Sequence, residues 1–254
     1  MITLSKSYYF ISCFFQLLCG LLFSMITITT TTKATLFITP GHSLESVQMR
    51  IKTAKKTELH PIVCAWDVHG VLMDVTTKQK IKCSFLHIRR FTGNYPNVLE
   101  AVIRMKKKPH KVQKYLEREA HNTYILPGAE TLLIELKQKG CSHVILSNMG
   151  SSIWDICVQK IIPNNFLQLL DLPGCTLAQP MKNGNFYGPW YEKPHNAIYS
   201  LFFQKNKKYT NSIKIFVDDT VENVRAAVAN GFDVGIVHKN KEQVRNDLKL
   251  LGVL

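Results

Sequence analysis

Asp67 and His69 close an apolar run, Ile62-Val-Cys-Ala-Trp-Asp-Val-His-Gly-Val-Leu72. The pattern is that of a buried strand ending on a lone carboxylate and then dropping into a glycine turn. Open α/β sheets bind ligands at the carboxyl ends of their strands, and an acid placed there can serve as nucleophile, base or ligand. Later segments repeat the theme. Ser147 and Asn148 follow the run His143–Leu146, Lys193 precedes Pro194, and Asp218 and Asp219 follow Ile213–Val217. Taken singly, each has a plain structural reading: Ser147 and Asp218 as helix caps, Lys193 as a surface lysine. An acid, a hydroxyl, a lysine and an acid pair at successive element ends are much harder to produce by accident.

The chemistry of the set is coherent. Carboxylates gathered at Asp67, Asp218 and Asp219 raise one another's pKa. A hard divalent cation relieves that repulsion, and magnesium takes a few carboxylates together with waters and a substrate phosphate. The Ser147 hydroxyl suits phosphate oxygens, and Lys193 supplies positive charge to a phosphate and to an attacking carboxylate. Such a site suits in-line phosphoryl transfer, in which positioning and charge neutralisation dominate.

Alternating elements must bring these residues together. Apolar periodicity predicts strands over 61–67, 143–147, 213–217 and 233–237. Helices are expected over about 43–55, 129–139, 151–161, 194–204, 221–229 and 241–251. Ser43 suits a helix cap, and Gly140 a helix stop. The alternation predicts an α/β fold: a Rossmann-like parallel sheet with helices on both faces. Residues 75–125 lack clear strands and read as a small helical cap inserted after the first strand. Asn183-Gly184 between Met181 and Phe186 is a hairpin turn signal. The aromatic residues Phe186, Tyr187, Trp190 and Tyr191 line either a pocket or a surface hairpin.

Composition bounds the partners. The chain of 254 residues carries a net charge of +14, and eleven Lys/Arg against three Glu fall between Lys80 and Glu119. That bias favours anionic partners, here a small phosphorylated substrate steered by Arg89, Arg90, Arg104 and Lys106–Lys108. Nucleic acid is not expected, since no zinc, helix-turn-helix or ribonucleoprotein signature accompanies the basic run. Tyr8–Ile28 holds no charged residue and is long enough to cross a bilayer. Residues 1–36 are therefore expected to be a targeting or membrane-anchor segment, giving membrane association or export, and 37–254 the folded domain. The seven cysteines are scattered, with no Cys-x-x-Cys pair; the folded body reads as suited to a reducing compartment.

Four stretches taken together resemble the motifs of the haloacid dehalogenase-like (HAD) hydrolase superfamily: Asp67-Val-His-Gly-Val-Leu-Met-Asp74, Val144-Ile-Leu-Ser-Asn148, Lys193-Pro194 and Phe216-Val-Asp-Asp-Thr-Val-Glu-Asn223. Each motif is weak alone; their order, spacing and strand context are specific, and the helical-cap branch is the nearest in pattern. The resemblance implies a magnesium-dependent phosphomonoester hydrolase. Asp67 would be the nucleophile that forms an aspartyl-phosphate. Ser147, with Asn148 beside it, and Lys193 would hold the phosphate. Asp67, the backbone carbonyl of His69, Asp218 and Asp219 would hold Mg2+. His69 departs from the family pattern, where an Asp protonates the leaving group and later activates water. Imidazole titrates near neutral pH and can do both jobs. The rival expectation is a catalytically impaired HAD-fold protein that binds a phosphorylated ligand or a protein partner at a membrane. A dehalogenase needs no magnesium, and the Asp218–Asp219 pair speaks against it.

Overall fold

The structure is a computed structural model that describes residues 35–57, 62–75, 117, 120–180 and 190–254. Nine strands are described: β1 (Leu36–Ile38), β2 (Ile62–Trp66), β3 (Met73–Val75), β4 (Thr123–Ile125), β5 (Cys141–Gly150), β6 (Thr176–Pro180), β7 (Trp190–Tyr191), β8 (Ile213–Asp218) and β9 (Val234–Val237). The described helices are α1 (Leu44–Thr57), α2 (Ala129–Gln138), α3 (Ser151–Lys160), α4 (Asn164–Leu167), α5 (Asn196–Lys205), α6 (Val221–Ala229) and α7 (Lys241–Leu250).

Seven strands form one sheet in the order β1-β9-β8-β2-β5-β6-β7. Its centre is parallel: β2 pairs with β5 on one side and β8 on the other, and β8 pairs with β9. Every residue of β2 is buried, as a strand covered on both faces must be. The pleat sorts its side chains. Ile62, Cys64 and Trp66 join a core built with α1, α2, α3 and α7, while Val63 and Ala65 join a second core built with α5 and α6. Helices therefore do cover both faces. Trp66 is a core residue, as its setting in an apolar run suggests. Its indole N–H donates to His143 Nδ1 at 3.2 Å, so the other ring nitrogen carries the proton and donates to the Leu133 carbonyl at 2.9 Å. Burial pushes the His143 pKa down to about 4, keeping the ring neutral.

The edges differ from an all-parallel expectation. β1 runs antiparallel to β9, and β7 antiparallel to β6. Both are too short for alternation to register in the sequence. β1 also draws Thr35 and Leu36 into the fold, since Leu36 pairs with Ile236 and the Val237 N–H donates to the Thr35 carbonyl. The compact unit spans Thr35–Leu254. Strands β3 and β4, at the two ends of the stretch that reads as strand-free, form a separate antiparallel pair, Met73 opposite Ile125 and Val75 opposite Thr123. The expected helical cap and its basic residues fall almost entirely outside the described residues, as do the Asn183-Gly184 turn and residues 8–28. Among the described residues no helix is long and apolar enough to cross a membrane. Cys64, Cys141, Cys157 and Cys175 are buried.

Candidate active site

Because β5, β2 and β8 lie side by side and parallel, their carboxyl ends open on one edge of the sheet. Asp67 extends β2 by one residue, its N–H donating to the Val217 carbonyl at 2.9 Å. Asp218 ends β8 next to it. Lys193 is delivered from the stretch between β7 and α5, and its side chain is 1% exposed. Its ammonium lies 2.9 Å from Asp67 Oδ1 and 2.5 Å from Asp218 Oδ2. Burial works against the lysine's charge, but the two carboxylates outweigh it, and the Lys193 pKa is raised.

Asn148 explains how a long side chain is held in one place. It accepts from the Lys193 N–H at 2.6 Å and donates to the Lys193 carbonyl at 2.9 Å. The side-chain amide is thus committed to the lysine's backbone, a positioning task that the sequence pattern does not announce. The pairing of β5 with β6 is irregular between Ser147 and Gly150; a bulge of this kind re-aims side chains at a sheet edge. Ser147 is buried, and its hydroxyl oxygen accepts from the Met149 N–H at 3.2 Å, which leaves its own proton for another acceptor.

Asp218 is fully buried and well provided with donors. The Thr220 N–H donates to Oδ1 at 2.8 Å, and Asn223 Nδ2 reaches both oxygens at 3.1 and 3.2 Å. Asn223 is itself fixed, since Tyr199 donates its hydroxyl proton to the Asn223 carbonyl at 2.8 Å. It orders the loop after β8, as its place in the sequence suggests. Asp219 is exposed and accepts from the Thr220 hydroxyl at 3.2 Å. Burial raises the Asp218 pKa and the Asp67 carboxylate raises it further, while partial loss of water around the Asp219 carboxyl, with the charges of Asp218 and Asp67, raises that of Asp219.

One oxygen from each of Asp67, Asp218 and Asp219 lies within 4.8 Å of the others. Oxygen-only ligands at this spacing fit a hard divalent cation. Directly after Asp67 comes the turn Val68–Met73, closed by hydrogen bonds from the Val71, Leu72 and Met73 N–H groups to the Val68 carbonyl. Half-buried His69 sits on this turn. Gly70 has φ 77°, and a Cβ built on it would collide with Asp219 Oδ2. Only glycine avoids both the left-handed strain and that collision. Gly70→Ala is therefore expected to destabilise the protein by ~1–3 kcal/mol and to displace the Asp219 carboxylate. A thermal melt with and without Mg2+ checks this: an alanine variant that melts and binds the ion as the wild type does would refute it.

The sequence-predicted residues Asp67, Lys193, Asp218 and Asp219 thus meet at one place. Ser147 and Asn148 stand on the neighbouring strand β5, which does not end at 147 as expected but runs on through its irregular stretch to Gly150, and His69 stands on the turn two residues beyond Asp67. The clamp from Asn148 and the Thr220 contacts were hidden, because they depend on a bulge and a turn rather than on periodicity.

No family model matches the sequence, and no curated protein matches it. The chain is similar to solved structures of HAD-superfamily hydrolases. One, from Ehrlichia chaffeensis, is 17% identical with a TM-score of 0.44, covering 76% of this chain and 98% of its own. A HAD-family enzyme of Bacteroides thetaiotaomicron, solved with magnesium and inorganic phosphate, is 14% identical with a TM-score of 0.44, covering 72% and 98%. L-2-haloacid dehalogenase from Xanthobacter autotrophicus is 16% identical with a TM-score of 0.44, covering 74% and 82%.

Proposed function

We propose that the protein is a HAD-like, magnesium-dependent phosphomonoester hydrolase that works through an aspartyl-phosphate on Asp67. The observation that carries the proposal is the buried Lys193 ammonium bridging Asp67 and Asp218, inside a cluster of three carboxylates. A lysine so placed offsets the negative charge of the acids and adds positive charge where a phosphoryl group would sit.

In the first step an Asp67 carboxylate oxygen attacks phosphorus, and the bond from phosphorus to the ester oxygen breaks. The departing alkoxide takes a proton from the His69 imidazolium. In the second step neutral His69 takes a proton from water, the hydroxide attacks the acyl phosphate, and inorganic phosphate leaves as Asp67 is restored. The Ser147 hydroxyl and the Lys193 ammonium hold phosphate oxygens throughout, and Asn148 keeps Lys193 in register. Magnesium held by Asp67, Asp218, Asp219 and the His69 backbone carbonyl would neutralise charge on the transferring group. The test is turnover of a panel of phosphomonoesters by the full-length chain with Mg2+. No hydrolysis of any member, with Mg2+ binding intact, would leave the rival reading: His69, standing where the family has an acid, marks a lamed enzyme that binds a phosphorylated ligand. Membrane association through residues 8–28 is a separate proposal resting on the apolar run alone.

Metal binding should leave a thermodynamic trace. The carboxyls of Asp218 and Asp219 have raised pKa values in the metal-free fold, so the folded state holds their protons more tightly than the unfolded chain does. Their contribution to stability is greatest below the unfolded carboxyl range, near pH 4, and is lost as pH rises through the raised folded values. Mg2+ binds the deprotonated form and stabilises the folded state by mass action. The rise in melting temperature caused by Mg2+ should therefore be larger at pH 7.5 than at pH 5. Asp219→Asn should raise the metal-free melting temperature at pH 7.5 and abolish the Mg2+ increment. An increment that survives the substitution unchanged would remove Asp219 from the site.

A further inference from the structure

Two residues beside the site have no part in the chemistry described above. His238 follows β9, and Lys241 is the first residue of α7. The Lys241 ammonium donates to the Val71 carbonyl and lies 3.3 Å from His238 Nε2. The His238 backbone N–H donates to the Asp218 carbonyl at 2.8 Å. The Val71 peptide, two residues beyond His69, is thus gripped from a distant part of the chain. The aliphatic stem of Lys241 also runs past Gly128, its Cγ 3.8 Å from where a Cβ would stand there. Inside the turn, three N–H groups converge on the Val68 carbonyl, and the Gly70 N–H donates to the Met73 carbonyl at 2.9 Å. The Lys241 ammonium, with His238 beside it, adds a hold from outside on the Val71 peptide.

We infer that Lys241, together with His238, is a positioning residue: the pair sets the Val68–Met73 turn and thereby the His69 backbone carbonyl at the divalent-cation site. The inference rests on the reading of that site given above. Stability alone does not account for the lysine. A cation at the first position of a helix opposes the helix dipole. Burial strips water from this ammonium and pushes its pKa down to about 8. What the residue gains in return is its hold on the turn. Groups that orient metal ligands from outside typically change metal affinity by about 10–100-fold when removed.

The sign of the effect separates positioning from simple charge. If Lys241 acted only as a nearby positive charge, its removal would tighten cation binding. If it positions the turn, removal weakens binding. The experiment is calorimetric titration of the full-length chain with Mg2+ alone, beside thermal melts without metal. Asp219→Asn serves as the control for the site. Lys241→Met is expected to weaken Mg2+ binding by about tenfold or more without lowering the metal-free melting temperature. Lys241→Arg, which keeps the donor, is expected to restore binding, and His238→Gln to weaken it in the same direction. The last two variants carry the test if Lys241→Met does not fold. Equal or tighter binding in Lys241→Met, weakened binding that only follows a lowered melting temperature, or no rescue by Lys241→Arg overturns the inference while leaving the site reading intact. Wild type that binds no Mg2+, or binding indifferent to Asp219→Asn, overturns the site reading and the inference with it.

Discussion

Asp67→Asn is expected to abolish phosphomonoester turnover, by a factor on the order of 10⁴–10⁶, the scale seen when a covalent nucleophile is removed. The amide has nearly the shape of the carboxylate but carries no charge and is a poor nucleophile, so the loss falls on the chemical step. The fold should survive. The amide oxygen of the variant can still accept from Lys193 at the position now occupied by Asp67 Oδ1, and the shorter contact from Lys193 to Asp218 is untouched. One negative charge also leaves a crowded cluster, so the metal-free protein should melt no lower than wild type. The measurement pairs steady-state hydrolysis with acid-quenched labelling by a phosphate-labelled substrate, which traps acyl phosphate on the wild type and not on the variant. Substantial turnover in Asp67→Asn, or label on a different residue, would sink the covalent reading. Lys193→Met offers no such clean comparison. It leaves the buried Asp218 without its cation, and breaking a buried pair typically costs about 3–5 kcal/mol.

The centre of the fold was legible because its physics is local. β2 and the central stretches Val144–Leu146 of β5 and Ile215–Val217 of β8 are buried, so each reads as an apolar run, and a polar residue follows each. That gave Asp67 and Asp218 their strand-end positions and placed Ser147 just after the apolar stretch of β5, and the parallel order then put the three side by side. Lys193 was legible by pattern rather than by periodicity. What the chain did not announce depends on long-range partners. β1 is three residues long, and its pairing with β9 joins segments as distant in sequence as Leu36 and Ile236. Asn148 sits on an irregular stretch of β5, where no alternation tells which way a side chain turns. His238 and Lys241 read as an ordinary helix start, and only the return of α7 against the Val68–Met73 turn gives them a role. Gly70 was legible as a turn, but its collision with Asp219 belongs to the tertiary structure.

The second large effect concerns His69. Replacing it by Ala should lower turnover by about 10²–10⁴-fold, the usual contribution of a positioned acid or base. The loss should depend on pH. The wild-type rate needs the imidazolium when the leaving group departs and the neutral ring when water attacks, so its profile should bend within the range of about pH 5–8 where imidazole changes charge. The alanine variant should lose that bend. His69→Asp makes a different prediction, because a carboxyl titrates at lower pH than an imidazole. It should retain turnover with the pH optimum moved to the acid side. Leaving-group dependence sharpens the test. An aryl phosphate, whose departing oxygen needs little protonation, should suffer less from His69→Ala than an alkyl phosphate. If wild type hydrolyses nothing while His69→Asp does, then imidazole at this position has disarmed the site, and the protein is the ligand-binding form of the fold. If His69→Ala matches wild type across the pH range, the side chain takes no part in proton transfer, and only its backbone carbonyl stays in the proposal.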